Sequence, residues 1–181
     1  MDKKKYSLLW ERLEGEGSAE RPSGRDGALF INIPEKNQFL LFSGVSHVRF
    51  ADVFVFDMKK RKWSKKRTTG EHPKDLCYAI GWYDSPNFFF YGGRNKELSL
   101  SDTYFLNVEK WIWKKVFTMD QPVSRFYHAG AKTEESVVYI YGGTNIGREN
   151  KLLGDMYKYD YSKCYIHIHI YIYITYIHDV L

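Results

Sequence analysis

The chain has 181 residues, a net charge of +5 and an aromatic content of 18%, enough for one substantial folded core. Its two cysteines, Cys77 and Cys164, are far apart and lack metal-ligand spacing, which favours a reducing compartment. The N-terminus contains no apolar stretch long enough for a signal peptide. We therefore expect a cytoplasmic protein, with the nucleus as the alternative.

The predicted elements recur along the chain with a period of about fifty residues. A proline-led segment opens each unit, and a short apolar run that ends at a glycine pair follows it. The runs are rich in β-branched and aromatic residues and are bounded by turn formers, which indicates strands. The openings are Pro22–Arg25, Pro73–Leu76 and Pro122–Arg125, and the runs are Phe39–Phe42, Phe88–Tyr91 and Val137–Tyr141.

Each unit continues with an Asp-led segment, and the first two units then carry a tryptophan. Phe54 and Phe56 are two residues apart, the spacing that places side chains on one face of a strand. The segments are Asp52–Asp57, Asp102–Asn107 and Asp155–Asp160, and the tryptophans are Trp63 and Trp113, with Trp10 as the same landmark from an earlier unit. Each unit therefore predicts about four antiparallel strands.

This order of landmarks resembles the kelch repeat over about residues 8–163. The resemblance implies an all-β, kelch-type β-propeller fragment of about three four-stranded blades in an open arc, over roughly 22–70, 71–120 and 121–163, with 8–14 as an outer strand of a preceding blade. It also implies that the strand after each opening is innermost and the tryptophan strand outermost. The structural landmarks are then Gly44, Gly92, Gly93, Gly142, Gly143, Trp63 and Trp113.

Binding on such a scaffold is expected in the exposed loops after the glycine pairs and beside the innermost strands. In this family, arginines and histidines near the central channel are candidate contacts. Their positions vary here, because Leu76 replaces the arginine of the second unit and His128 corresponds to Ala28 and Ala79. Ser43 similarly replaces the first glycine of the first unit. The candidate partner-binding residues are Arg25, Arg94, Asn95, Arg125, His128, Asn145 and Arg148.

A basic cluster surrounds Trp63, between Lys59 and Arg67. The favoured interpretation is a solvated turn and outer edge strand, where lysine blocks edge-to-edge pairing. A nuclear-import or polyanion-binding patch is the alternative, so a nucleic acid is the less favoured partner.

The tail, residues 164–181, alternates isoleucine with tyrosine or histidine, which is the period of a β-strand and not of a membrane helix. Two interpretations stay open. One is that the tail is a translated dinucleotide repeat, which makes the chain the front part of a longer kelch protein. The other is that it is an outer strand of the third blade with Ile166 at the tryptophan position, and both can hold together. His167, His169 and His178 have no partner of fixed geometry, so no metal site is predicted there.

The leading functional hypothesis is a protein–protein interaction module of scaffold or adaptor type, whose partner the sequence does not name. The alternative is a truncated or mis-spliced product with no independent function. A propeller enzyme is a distant alternative, since we find no nucleophile elbow, phosphate loop or metal-ligand spacing. We predict no catalysis, cofactor, metal or membrane association. Self-association is a further expectation, because an open arc leaves aromatic blade faces uncovered.

Overall fold

A computed structural model describes residues 9–13, 20–146 and 151–162 of the chain. These residues form twelve β-strands in three sheets, with one short 3-10 turn at Pro34–Lys36. Apart from one short strand that joins the second sheet in parallel, strands that follow one another along the chain within a sheet pair antiparallel as a meander.

The first sheet has four strands in chain order: β1 (Leu29–Ile33), β2 (Gln38–Phe42), β3 (Val53–Asp57) and β4 (Lys62–Lys66). Phe56 pairs with Trp63 across β3 and β4, so the tryptophan lies on the outermost strand of this sheet. The turn between these strands is held by the Asp57 carboxylate, whose Oδ1 accepts the backbone N–H groups of Lys59 and Lys60.

The second sheet has five strands in the spatial order β5-β9-β8-β7-β6. They are β5 (Thr69–Gly70), β6 (Ile80–Asp84), β7 (Asn87–Tyr91), β8 (Thr103–Asn107) and β9 (Ile112–Val116). The short strand β5 pairs parallel with β9. The connector after β4 thus covers the outer edge of the second sheet, although the sequence assigned residues 69 and 70 to the first blade.

The third sheet contains β10 (Ala129–Lys132), β11 (Val137–Tyr141) and β12 (Met156–Asp160). The outer strand suggested for the tail, with Ile166 at the tryptophan position, lies outside the described residues. Residues 9–13 form no strand, which differs from the expected outer strand over 8–14, and Trp10 is 99% exposed. No described strand precedes β1, so this segment has no sheet of its own to pair with.

The three sheets pack face to face in chain order. Side chains alternate between the two sides of each strand, so each sheet presents one set of residues to the preceding sheet and another to the following one. We call the side of each sheet towards the preceding sheet its leading face and the side towards the following sheet its trailing face. The leading face of the second sheet carries Phe88, Phe90 and Trp113, which form one core with Leu40 and Phe42 on the trailing face of the first. Trp113 is fully buried there.

A second core joins the second and third sheets. Trp82 and Phe89 on the trailing face of the second sheet pack with Val138, Ile140 and Tyr161 of the third unit. The rings of Trp82 and Phe89 stack with their centroids 5.5 Å apart, a favourable aromatic arrangement.

The strands β1, β6 and β10 are neighbours along the inner side of the arrangement. Two backbone bonds connect the segments before them: Tyr78 N donates to Gly27 O at 2.9 Å, and Tyr127 N donates to Tyr78 O at 3.2 Å. The strand after each opening is therefore innermost. Similar sheets packed face to face, with adjacent inner strands, form part of a β-propeller, which confirms the predicted fold class.

Candidate functional site

The loops after the glycine pairs and the starts of the inner strands form one end of the sheets. A pair of reciprocal backbone hydrogen bonds joins each loop to the segment before its inner strand, between Cys77 and Arg94 for example, at 2.9 and 3.0 Å. The bridged pairs are Asp26–Val45, Cys77–Arg94 and Phe126–Thr144. The loops are thus fixed to the scaffold at equivalent points, as a binding surface requires.

Arg94 and Asn95 begin the loop of the second blade, and both are half-buried. The Arg94 guanidinium carbon lies 5.1 Å from the ring centroid of Phe126, in the third blade, which is cation–π geometry. Asn95 Oδ1 accepts the backbone N–H groups of Glu97 and Leu98. The loop is therefore ordered by its own asparagine, and Arg94 spans two blades.

Asn145 ties the loop of the third blade to the rest of this end. Its Nδ2 donates to the Ser124 carbonyl at 2.6 Å and to the Ser124 hydroxyl at 2.9 Å. The neighbouring Ile146 N donates to Ser99 Oγ of the preceding loop at 2.6 Å. The second and third loops are consequently in direct contact. Arg148 lies outside the described residues.

Arg25 and Arg125 lie inside their blades. Arg125 has a fully buried side chain that donates to Asp155 Oδ1 at 2.7 Å, to Asp155 Oδ2 at 2.9 Å and to the Gly142 carbonyl at 2.9 Å. The hydrogen bond from Arg125 is the main reason that the pKa of Asp155 is lowered. Arg25 makes the equivalent ion pair with Asp52 at 2.6 Å, and its side chain is 4% exposed. Both arginines fasten the inner strand to the start of the third strand.

The second blade shows what replaces this ion pair. Leu76 occupies the arginine position and is buried. Asp102, the counterpart of Asp52 and Asp155, pairs instead with Lys115 of β9 at 2.8 Å. The carboxylate keeps a cationic partner, but from the outer strand.

His128 is buried between the second and third blades and is 7% exposed. Neither ring nitrogen makes a well-formed hydrogen bond to a described residue, and the ring meets Tyr91 edge-on at 5.6 Å. Burial, followed by repulsion from Arg125, lowers the pKa of His128 to about 4, although the Tyr91 backbone opposes the shift in part. The imidazole is therefore neutral at physiological pH.

The structure adds residues that the sequence patterns did not single out. Tyr78 and Tyr127 follow the repeat position of Gly27, all three with φ between 56° and 61°. The Tyr78 hydroxyl donates to the Asp26 carboxylate, which raises the pKa of Tyr78. Its ring centroid lies 4.2 Å from that of Tyr127. A comparison of the units two residues after each opening would have found this aromatic pair.

Arg49 also escaped the sequence analysis, because the other loops carry Ser99 and Leu152 at the equivalent position and no pattern marks it. It lies beside the Cys77 thiol, whose pKa is raised by burial while Arg49 and Arg94 oppose the rise. Two arginines and the Asp26 carboxylate thus surround one buried thiol. This end of the sheets is a charged, ordered surface and not a set of bare turns.

The basic cluster lies elsewhere, on the outer strand β4 and the turn before it. Lys59, Lys60 and Lys62 are exposed, and Lys65 reaches over the Phe54 ring at 5.8 Å. Within 9–13, 20–146 and 151–162, no helix has the length and apolar character needed to cross a membrane. In the same ranges no three His, Cys, Asp or Glu side chains converge as metal ligands would.

Stacked antiparallel sheets, a left-handed Ser-Gly or Gly-Gly pair after each second strand and a tryptophan on the outer strands of the first two blades define a kelch-type β-propeller repeat protein. The chain belongs to the family described as the KLHDC2/KLHL20/DRC7 Kelch-repeats domain, whose model matches residues 4–168.

Similar proteins include Kelch domain-containing protein 2 of Bos taurus, 26% identical over 86% of this chain and 43% of that protein. Acyl-CoA-binding domain-containing protein 5 of Arabidopsis thaliana is 24% identical over 77% of this chain and 22% of that protein. An N-(sulfonatooxy)prop-2-enimidothioate sulfolyase of Thlaspi arvense is 31% identical over 55% of this chain and 29% of that enzyme. The chain thus spans less than half the length of each of these curated relatives.

Proposed function

We propose that this chain is a non-enzymatic protein–protein interaction module of scaffold or adaptor type, which acts in the cytoplasm or nucleus and presents its loop end to a protein partner. One observation carries the proposal: three loops from three blades are bridged to the inner strands at equivalent points, and the second and third loops are in direct contact. Kelch repeats in related proteins supply a rigid scaffold, and exposed loops on such scaffolds are where binding concentrates.

Within this surface we propose Arg94, Asn95 and Asn145 as contact residues, with Arg148 as a further candidate on the same loop as Asn145. Arg94 is suited to the role because its guanidinium is only partly covered and rests on an aromatic ring. Arg25, Arg125 and His128 are better suited to support, since their side chains are buried within or between blades.

The alternatives differ in what they predict for this surface. A truncated product without independent function would have no partner that depends on the loops. A polyanion-binding protein would use the lysines between Lys59 and Arg67. An enzyme is the alternative that the name of the Thlaspi arvense relative suggests. It would need reactive groups that converge on a substrate, and no geometry in the described residues favours that role over binding.

The test is affinity capture from a cell extract followed by quantitative mass spectrometry, with wild-type chain and two variants. Arg94→Ala should reduce the captured amount of at least one protein by about tenfold. Truncation of an arginine anchor typically costs at least about 1.4 kcal/mol of binding free energy, which is a tenfold loss of affinity. Lys62→Ala, in the basic cluster, is the matched control and should leave capture unchanged. If Lys62→Ala reduces capture and binding falls steeply with salt, the polyanion alternative replaces the proposal.

We also propose that the chain can self-associate, because the first and third sheets each have one face with no neighbouring sheet among the described residues.

A further inference from the structure

A cavity of about 110 Å³ lies between the second and third blades. Tyr91, the last residue of β7, and Thr103, the first residue of β8, line it on the second blade. Ile140 and Tyr157 line it on the third blade, and the connector after β9 contributes residues 118–122. The cavity thus lies at the end of the sheets that carries the loops. Its volume is of the order of the roughly 150 Å³ cavity that holds benzene, so its guest is the size of one side chain.

The equivalent space between the first and second blades is filled by a tryptophan. Trp113 is fully buried there, and its ring centroid lies 4.8 Å from that of Phe42 and 5.9 Å from that of Phe90. Tyr91 occupies the position of Phe42 on the next blade, and Ile140 occupies the position of Phe90. The cavity is therefore bounded by the counterparts of the residues that enclose an indole ring at the first junction.

The walls of the cavity keep the shape of the first junction but gain hydroxyl groups. Thr103 replaces Val53, which belongs to the apolar core around Trp113. Tyr91 replaces Phe42, and its hydroxyl donates to the Pro122 carbonyl at 3.1 Å. Thr103 is 2% exposed, and a buried hydroxyl costs free energy unless it meets a hydrogen-bond partner. Such walls suit an aromatic ring with a polar edge, such as the N–H of indole.

The third unit does not supply a tryptophan of its own at this place. The residue six positions after Asp160 is Ile166, which lies outside the described residues. Its side chain is smaller than an indole ring and has no N–H group, so it cannot reproduce the contacts of a tryptophan.

The connector also differs from its counterpart at the first junction. Gly70 of β5 lies so close to the outer strand β9 that a Cβ would collide with the carbonyl of Trp113. The third unit carries Asp120 at the equivalent position, again with a positive φ, of 54°. A strand paired as closely as β9 would therefore clash with the Asp120 side chain. The cavity consequently favours one inserted side chain over an added strand.

We propose that this cavity binds the indole side chain of a tryptophan carried by the protein partner. The inference rests on the proposed function, to which it adds the residue type that is recognised. The ring packs between Tyr91 and Tyr157, and its N–H donates to the Thr103 hydroxyl. Aromatic anchors in preformed pockets supply much of the free energy of protein association. The connector beside the cavity is already ordered, because Thr118 Oγ1 donates to Gln121 Oε1 at 3.0 Å, so little entropy is lost on binding.

Titration of the isotope-labelled full chain with N-acetyl-L-tryptophanamide, followed by NMR, tests the proposal. Chemical-shift changes should concentrate at residues 118–122 and at the Ile140 methyl groups. Thr103→Phe should fill the cavity and raise the dissociation constant by at least about tenfold. Thr103→Val, which copies Val53, should raise it by about threefold to tenfold, the range expected for a lost neutral hydrogen bond. The same variant should leave the affinity for N-acetylnaphthylalaninamide unchanged, since a naphthyl ring has no N–H to donate.

Thr69→Phe is the matched control, because Thr69 is exposed on β5, outside the cavity. It should bind the probe as wild type does, and circular dichroism on every variant checks that the sheets are retained. A folded wild-type chain that does not bind the probe overturns the proposal, and so does binding that survives Thr103→Phe. If Thr103→Phe does not fold, equal affinities of wild type and Thr103→Val for N-acetyl-L-tryptophanamide overturn it.

Two other guests give distinct results. Binding of free indole without binding of N-acetyl-L-tryptophanamide would identify a small-molecule site and overturn the proposal. Binding that appears only after removal of residues 164–181 would make the tail the occupant and overturn it as well. The titration needs no client protein, so its failure leaves the capture experiment with Arg94→Ala standing, and the two proposals fail separately.

Discussion

Protonation of His128 should make the stability of this protein depend on pH in a range where most proteins change little. Its pKa falls from an ordinary value of 6.5 to about 4 in the folded chain. Between those two values the unfolded state binds more protons than the folded state, so stability falls as pH decreases through 6.5 and levels off below about 4. Linkage gives a loss of about 2 kcal/mol at pH 5 and about 3 kcal/mol at pH 4, relative to pH 8.

That loss is large beside a typical total stability of about 5–15 kcal/mol. Urea unfolding followed by tryptophan fluorescence, at fixed protein concentration and at pH 7.5, 6.0 and 5.0, measures it. The acid limit of pH 5 lies above the ordinary pKa of aspartate, so carboxylates such as Asp155, whose pKa is lowered, contribute little over this range.

The variant that isolates the effect is His128→Ala, which places in the third blade the residue found at Ala28 and Ala79. It should be less stable than wild type at pH 7.5, because a buried ring is lost. Its stability should then change by less than about 0.5 kcal/mol down to pH 5, since the shifted group is gone. Parallel profiles for wild type and His128→Ala would refute the burial argument.

Three further substitutions separate supporting residues from contact residues. Arg125→Leu, which copies Leu76, should lower the free energy of unfolding by about 2 kcal/mol in urea titrations, less than the roughly 3–5 kcal/mol of a fully buried broken pair because Asp155 is 38% exposed. Arg94→Ala should change the same quantity by less than about 0.5 kcal/mol, and a larger loss would mark Arg94 as structural. Gly92→Ser should lower the free energy of unfolding by at least about 1 kcal/mol. In a double-mutant cycle, the same substitution should lower it by less when His128→Ala is already present.

Landmark residues made the fold predictable. Glycine pairs, Asp-led segments and tryptophans recur in one order, and each belongs to a position where backbone conformation or packing leaves little choice. Gly92 adopts φ of 71°, and Trp113 fills a junction between two blades. These constraints fix the same residue types in every repeat, so the repeats within one chain reveal them by comparison with each other.

The candidate site was less accessible from sequence because a pattern does not say which way a charged side chain points. Arg25 and Arg125 were expected at a contact surface, yet both are bound to an aspartate about thirty residues later. The signal was present in the units themselves, since Asp52 and Asp155 accompany these arginines. Arg49 could not have been found this way, because no other loop repeats it.

Departures from the repeat are explained by the neighbour that each one meets. Ser43 adopts φ of 71°, as Gly92 does, but its hydroxyl donates to the Leu76 carbonyl of the next blade. A Cβ on Gly92 would lie 2.7 Å from the Arg125 carbonyl and 2.9 Å from His128 Cε1. The residue equivalent to His128 at the first junction is Ala79, which leaves room for the serine. The His128 ring therefore adds to the Arg125 carbonyl in excluding a side chain at Gly92, whereas Ala79 leaves the corresponding space open beside Ser43. Two irregularities that look independent in the sequence, serine for glycine and alanine for histidine, thus share one packing cause at the junction between blades.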